Sequence, residues 1–210
     1  YALHNDPERT CLFLHHDTDG RTDGFLVRSQ TGMDLFTPIV TMRAPSEQAA
    51  GALVHSALIA GRPYYLLLPL ALEAMAGREL EVSASERLRV YCLRPAHFRP
   101  TINALVQPGT GPNSTPRFEI RSEQQVLSAA GVIWRSPHFA EISVSTVPEA
   151  RGRGWGRSVV AALAKELLLT GVQPLYITSE DNQSSIHVAD AVGFIDTGAR
   201  MFSGSATRVP

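Results

Sequence analysis

Residues 145–171 read STVPEARGRGWGRSVVAALAKELLLTG, and no other stretch of the 210-residue chain restricts its fold as much. A β-rich run stops at Pro148. Glycines then alternate at positions 152, 154 and 156, and a helix follows whose apolar residues Trp155, Val159, Val160, Leu163 and Leu167 form one stripe. A strand that feeds a helix through such a turn belongs in a layered α/β arrangement. It also makes an anion site, because the first N–H groups of a helix lack internal partners and glycine lets a phosphate approach the backbone. Arg151, Arg153 and Arg157 add fixed positive charge within the same turn.

Two phosphate loops can be tested against these residues. The dinucleotide fingerprint needs a third glycine where Arg157 stands, and a βαβ unit that opens a domain. The P-loop needs a lysine at Arg157 and a first glycine at Arg151. Both patterns fail at defining positions.

The remainder of the chain shows the same rhythm twice. Strand-like runs at 10–15, 25–29 and 35–43 are separated by DTDGRTDG and QTGMD, an antiparallel meander. Ser46 is an N-cap for a helix in which Ala50, Leu53, Val54, Ala57 and Leu58 recur at helical spacing, with Gly61 at the C-cap. The run 63–70 reads as a strand buried on both faces, followed by a short helix near 73–76 and a hairpin through 80–93. Between Pro95 and Pro116 the density of proline and glycine marks a boundary. Beyond it come strand-like runs at 118–121, 126–134 and 141–146, the long helix, a strand at 174–178, a short helix, and a last strand after Gly193. This βββαβαβ order in each half suggests a duplicated α/β fold, a mixed sheet of the α+β kind.

Charge and cysteine usage exclude several classes. With 19 Lys+Arg against 20 Asp+Glu, the chain has no general basic field, so neither nucleic acid nor a membrane surface is an expected partner. Cys11 and Cys92 read as free thiols of a reducing compartment. The most apolar run, 64–72, is far short of the roughly 20 residues of a membrane helix and contains Pro69. The first ten residues lack the basic start and apolar core of a signal peptide, so a cytoplasmic location is expected. His15, His16, Asp17, Asp19 and Asp23 have neither the spacing nor the facing of a metal site, and no metal is expected.

The stretch Arg151-Gly152-Arg153-Gly154-Trp155-Gly156 resembles the [QR]-x-x-G-x-[GA] motif of the GNAT superfamily of acyl-CoA N-acyltransferases, and TSEDNQSSIHVADAVGF supplies Asn182, Ser185 and Gly193-Phe194 at that family's spacing. The resemblance covers residues 118–198. It implies two GNAT-like halves: a degenerate N-terminal domain at 1–97, a linker at 98–116, and an acetyl-CoA-binding domain at 117–210. It further implies that backbone groups of Ser145, Thr146 and Val147 pair with the pantetheine arm as an added strand. The N–H groups of residues 152–156, with Arg151, Arg153, Arg157 and Ser158 near them, would hold the pyrophosphate of acetyl-CoA as cosubstrate. Asn182 and Ser185 would touch the pantetheine or help open the strands.

In the same resemblance, Glu141 matches a catalytic glutamate and would act as general base on a small-molecule or peptide amine, with His138 and His187 as alternative bases. One departure stands out. The tyrosine that protonates the departing thiolate in many members is Ala189 here. The first half has RAPSEQAAG where the second has RGRGWG, so it is expected to have lost its pyrophosphate loop. The implied activity is acetyl transfer to an amine, the alternative is a non-catalytic module that binds or senses CoA, and a homodimer is left open.

Overall fold

The structure, a computed structural model, describes residues 5–30, 37–111 and 114–209. Residues 31–36, which hold most of the expected QTGMD turn, lie outside it, as do 112 and 113. The chain divides into two compact units, Tyr1–Leu88 with Arg200–Pro210, and Arg89–Ala199.

In the first unit, strands β1 (Thr10–His16), β2 (Thr22–Ser29) and β3 (Ile39–Arg43) form the antiparallel meander. The turn between β1 and β2 is tied by the Asp17 carboxylate, which accepts from the N–H groups of Asp19 and Arg21, and by His15 Nδ1 at 2.6 Å from Asp23. Helix α1 (Glu47–Ala57) leads to β4 (Pro63–Pro69), which lies parallel to β3. Strand β4 buries one face, not two. Tyr64, Leu66 and Leu68 enter the core beside Leu53 and Val54, whereas Tyr65 is 38% exposed.

Gly61 does not cap α1. The helix ends at Ala57, and arginines take its last carbonyls: Arg28 Nη1 donates to Ala57 and Arg208 Nη1 to Leu58, both at 2.8 Å. A side-chain donor thus does the work expected of a left-handed glycine. Helix α2 (Glu73–Glu79) follows, and then β5 (Leu80–Cys92) runs as one strand where a hairpin was expected. The intervening SASER has no Asn-Gly or Gly-Gly pair to close a two-residue turn, so the chain stays extended with a single kink at Ala84 (φ 49°).

The second unit is built on β6 (Gln107–Thr110), β7 (Pro116–Ser122), β8 (Gln125–Arg135) and β9 (Phe139–Thr146), antiparallel in that order. Strand β10 (Gln173–Ser179) adds parallel to β9. Helix α3 (Trp155–Leu169) buries Val159, Val160, Leu163 and Leu167 against Ile120, Ala130, Val132 and Ile142, and α4 (Gln183–Val192) adds Ala189 and Val192 to that core. The last strand, β11 (Ile195–Arg208), has residues in both units, as does β5.

The stretch read as a linker belongs to the second unit. Phe98 and Val106 pack on its core, the Arg99 N–H donates to the Val192 carbonyl at 2.8 Å, and residues 107–110 pair with β7. Gly193 (φ 101°) is indispensable to that contact, since a Cβ there would lie 1.9 Å from the His97 carbonyl oxygen. Composition flagged the prolines, but the apolar residues between them decide the packing.

Candidate active site

The turn into α3 has the geometry its glycines imply. Gly152 (φ 76°) and Gly154 (φ 71°) are left-handed, and Gly154 is the N-cap with no side-chain acceptor. The N–H groups of residues 152–157 meet no acceptor among the described residues. Six consecutive donors at a helix N-terminus are a strong anion cradle. Gly156 answers a different need: a Cβ there would press on Thr146 Oγ1 at 3.3 Å, so the glycine lets α3 start hard against β9.

Around this turn the side chains are already engaged. Arg151 Nε donates to the Thr146 carbonyl (3.3 Å), Arg153 stacks over Trp155 (5.1 Å), and Arg157 Nε donates to Thr101 Oγ1 (3.0 Å). The buried Ser158 hydroxyl donates to the Gly154 carbonyl and accepts from Asn103. It holds the turn from inside, while Thr101 and Asn103, which the motif does not contain, brace it from the segment before β6.

Beside the turn, β9 and β10 separate. Their pairing runs only from Phe139–Gln173 to Ile142–Tyr176, although β9 continues to Thr146 and β10 to Ser179. The Val147 N–H donates to the Leu127 carbonyl (2.9 Å) and its carbonyl accepts from Ala150. Because successive residues of a strand turn their polar groups to opposite sides, Ser145 also addresses β8. Thr146 and Val144 are left facing the gap. Of the three backbones read as pantetheine partners, then, Thr146 stands on the open edge, and Val144, absent from that reading, stands there too.

Asn182 and Ser185 serve α4. The Asn182 carboxamide oxygen accepts from the Ser185 N–H (3.0 Å) and the Ser184 hydroxyl, which is N-capping, and the Ser185 hydroxyl lies 2.8 Å from the Tyr176 hydroxyl. Burial raises the pKa of Tyr176, so its phenol stays protonated. Ala189 is completely buried, packed with Val192 and Tyr176 in the core.

Glu141 lies on the face of β9 opposite α3, since Ala140 and Ile142 on either side of it point into the core. Trp134 on β8 and Leu175 on β10 flank it in register. Half-buried and with no carboxylate partner among the described residues, it has a pKa pushed up to about 7 by lost hydration. That is the range in which a group can both take and release protons near neutrality.

No curated protein matches the chain. Residues 120–203 match the model of the FR47-like protein family. Among solved structures, a GNAT-family protein from Novosphingobium aromaticivorans is similar over 88% of this chain and 89% of its own, with a TM-score of 0.66 at 17% identity. The second unit carries the GNAT fold. A GCN5-related N-acetyltransferase from Sphaerobacter thermophilus is similar over 95% of this chain and 81% of its own (TM-score 0.65, 10% identity). A tandem GNAT protein of the clavulanic acid biosynthesis pathway, in a structure without AcCoA, covers 100% of this chain with 86% of its own (TM-score 0.59, 14% identity). The chain thus has a mixed α+β fold of two GNAT-like halves, and the glycine-rich GNAT motif belongs to the second.

Proposed function

We propose that the protein is an N-acetyltransferase that uses acetyl-CoA and acts on an amine, with its chemistry in the second half. The observation that carries this reading is the run of six free N–H groups, residues 152–157, beside the open edge of β9. A pyrophosphate suits the first and an extended amide-bearing arm suits the second. Bound acetyl-CoA would supply an activated acyl group. Val144 and Thr146 would align the arm, and Arg151, Arg153 and Arg157 would add charge beside the pyrophosphate.

Glu141 takes the role of base. An amine that attacks a thioester must be neutral, whereas an alkylamine is protonated at neutral pH, and a carboxylate of pKa about 7 can accept the surplus proton directly or through water. Titration with acetyl-CoA by calorimetry, followed by mass spectrometry of an amine panel, tests both halves of the proposal. Binding with acetyl transfer supports it. Binding without transfer to any amine favours the second reading, a CoA-binding module, which Ala189 in place of the family's tyrosine recommends. The first half is proposed not to bind acetyl-CoA, because the start of α1 is sealed by Ser46. The compartment proposed is the cytoplasm; among the described residues no helix is long and apolar enough to cross a membrane.

A further inference from the structure

The face of the sheet that carries Glu141 holds a second charged group. On β7, Arg117, Glu119 and Arg121 all point away from α3, since Phe118 and Ile120 between them pack into the core. Glu119 is 8% exposed and clasped on both sides, by Arg117 Nε at 3.1 Å and Arg121 Nη1 at 2.5 Å. Those bonds hold its carboxylate below the usual range. Two guanidinium groups on one carboxylate leave one positive charge over.

The register shows where Arg117 reaches. Its row across the sheet is Gly109, Arg117, Gly131 and Ser143, so it is the one long side chain in that row. Its Nη1 lies 3.8 Å from where a Cβ of Gly131 would stand, which puts the guanidinium over β8 and one strand from β9. Ser143 and Ser145 are exposed, and Glu141 follows Ser143 at the next position on that face. The result is a shallow trough over Gly131 and Ser143, bordered on β8 by the exposed Ile133 and by Trp134, with a guanidinium at one end and the half-buried carboxylate at the other. From a strand spacing of about 4.8 Å and a rise of about 3.3 Å per residue, the guanidinium sits on the order of 8 Å from the Glu141 Cβ.

We propose that the acceptor amine carries a carboxylate, bound by Arg117 while the amine lies at Glu141. This rests on the acetyltransferase reading and narrows its substrate class. A guanidinium braced by Glu119 loses little freedom on binding and offers its remaining N–H donors to a carboxylate with charge assistance. A phosphate fits less well, because the cluster of Arg117, Glu119 and Arg121 has only one net positive charge and the Glu119 carboxylate repels a second negative one. Gly131 keeps the trough clear. Arg117 is a binding residue here and takes no part in proton transfer.

The test compares linear ω-amino carboxylates of about two to six methylenes with the matching ω-amino amides and ω-amino phosphates, using the full chain and acetyl-CoA. A charge-assisted contact predicts kcat/KM at least about tenfold higher for the best carboxylate than for its amide. In Arg117→Ala that preference collapses through KM, with the amide rate and acetyl-CoA affinity unchanged, and Arg117→Lys restores part of it. Gly131→Leu, which fills the trough and leaves the charges in place, should impair the carboxylate substrates more than the amides. Equal rates for carboxylate and amide, or faster rates for phosphate, overturn this proposal while the acetyltransferase reading stands. Acetyl-CoA binding with no amine acetylated overturns both.

Discussion

Helix α1 follows an antiparallel meander of three strands and α3 one of four, yet their N-termini are finished in opposite ways. At α1 the Ser46 hydroxyl accepts from the Ala49 N–H (3.2 Å), the Ser46 carbonyl accepts from Ala50, and the helix begins with an acidic residue, Glu47. That end has a serine cap that takes up two of its donors and an acidic first residue that repels an anion. At α3 the N-cap is a left-handed glycine with nothing to offer, the nearest charges are arginines, and six donors remain free. One serine against one glycine separates a helix start with a side-chain acceptor from one whose first donors stay open to an anion. Removing a stabilising cap is thus part of building the site.

If chemistry is confined to the uncapped half, the largest effect should come from its base. Glu141→Gln should lower kcat by about 10²- to 10⁴-fold at neutral pH, the usual range for a general base. In the wild type, activity should rise as pH passes through about 7, because Glu141 accepts a proton only once ionised. The variant should lack that limb, and the gap should narrow at high pH as free amine accumulates. Unchanged kcat from pH 6 to 9 would make the carboxylate structural.

The same substitution should stabilise the fold. The pKa of Glu141 rises from 4.5 to about 7 on folding, so the wild type loses stability as pH climbs through that interval, and glutamine does not. Denaturant unfolding should show Glu141→Gln ahead by about 1–3 kcal/mol at pH 8, with the difference fading toward pH 5. A constant difference across that range would mean that Glu141 is well hydrated.

Smaller effects probe the two helix starts themselves. Gly154→Val forces a β-branched residue to φ 71°, so the cradle should re-form poorly and calorimetry should give acetyl-CoA binding at least about tenfold weaker. Wild-type affinity would remove the pyrophosphate from this loop. Ser46→Ala should cost about 1 kcal/mol of stability and leave acetyl-CoA affinity as it was. The same titration should give a stoichiometry of one, and a second bound molecule per chain would erase the contrast between the halves.

The features legible in the sequence are those carried by neighbours along the chain. Alternating glycines and a 3.6-residue stripe placed α3 and its open N-terminus, and Ser46 placed the start of α1. What depends on partners far along the chain was hidden. Nothing in the composition says that Ile142–Tyr176 is the last rung between β9 and β10, or that Val147 is already occupied by Leu127 and Ala150. Arg28 and Arg208, which replace the expected glycine cap of α1, come from positions 29 and 150 residues away from the carbonyls they take. The Arg117–Glu119–Arg121 cluster reads as ordinary strand-surface charge until the register sets Gly131 beside it.

Strand β11 has a further consequence, which concerns the time at which the chain leaves the ribosome. Residues 201–207 pair with Pro63–Pro69 of β4, and Phe202 and Ala206 complete the first unit's core, so that unit lacks a strand until the intervening second unit has been made. Meanwhile β4 presents an unpaired edge with Tyr64, Leu66 and Leu68 beside it, the kind of surface on which nascent chains associate. The usual order, in which the N-terminal domain finishes before the next begins, is unattainable for this topology. Truncation just before β11 should therefore fail in the first half, although the residues removed lie at the opposite end of the sequence.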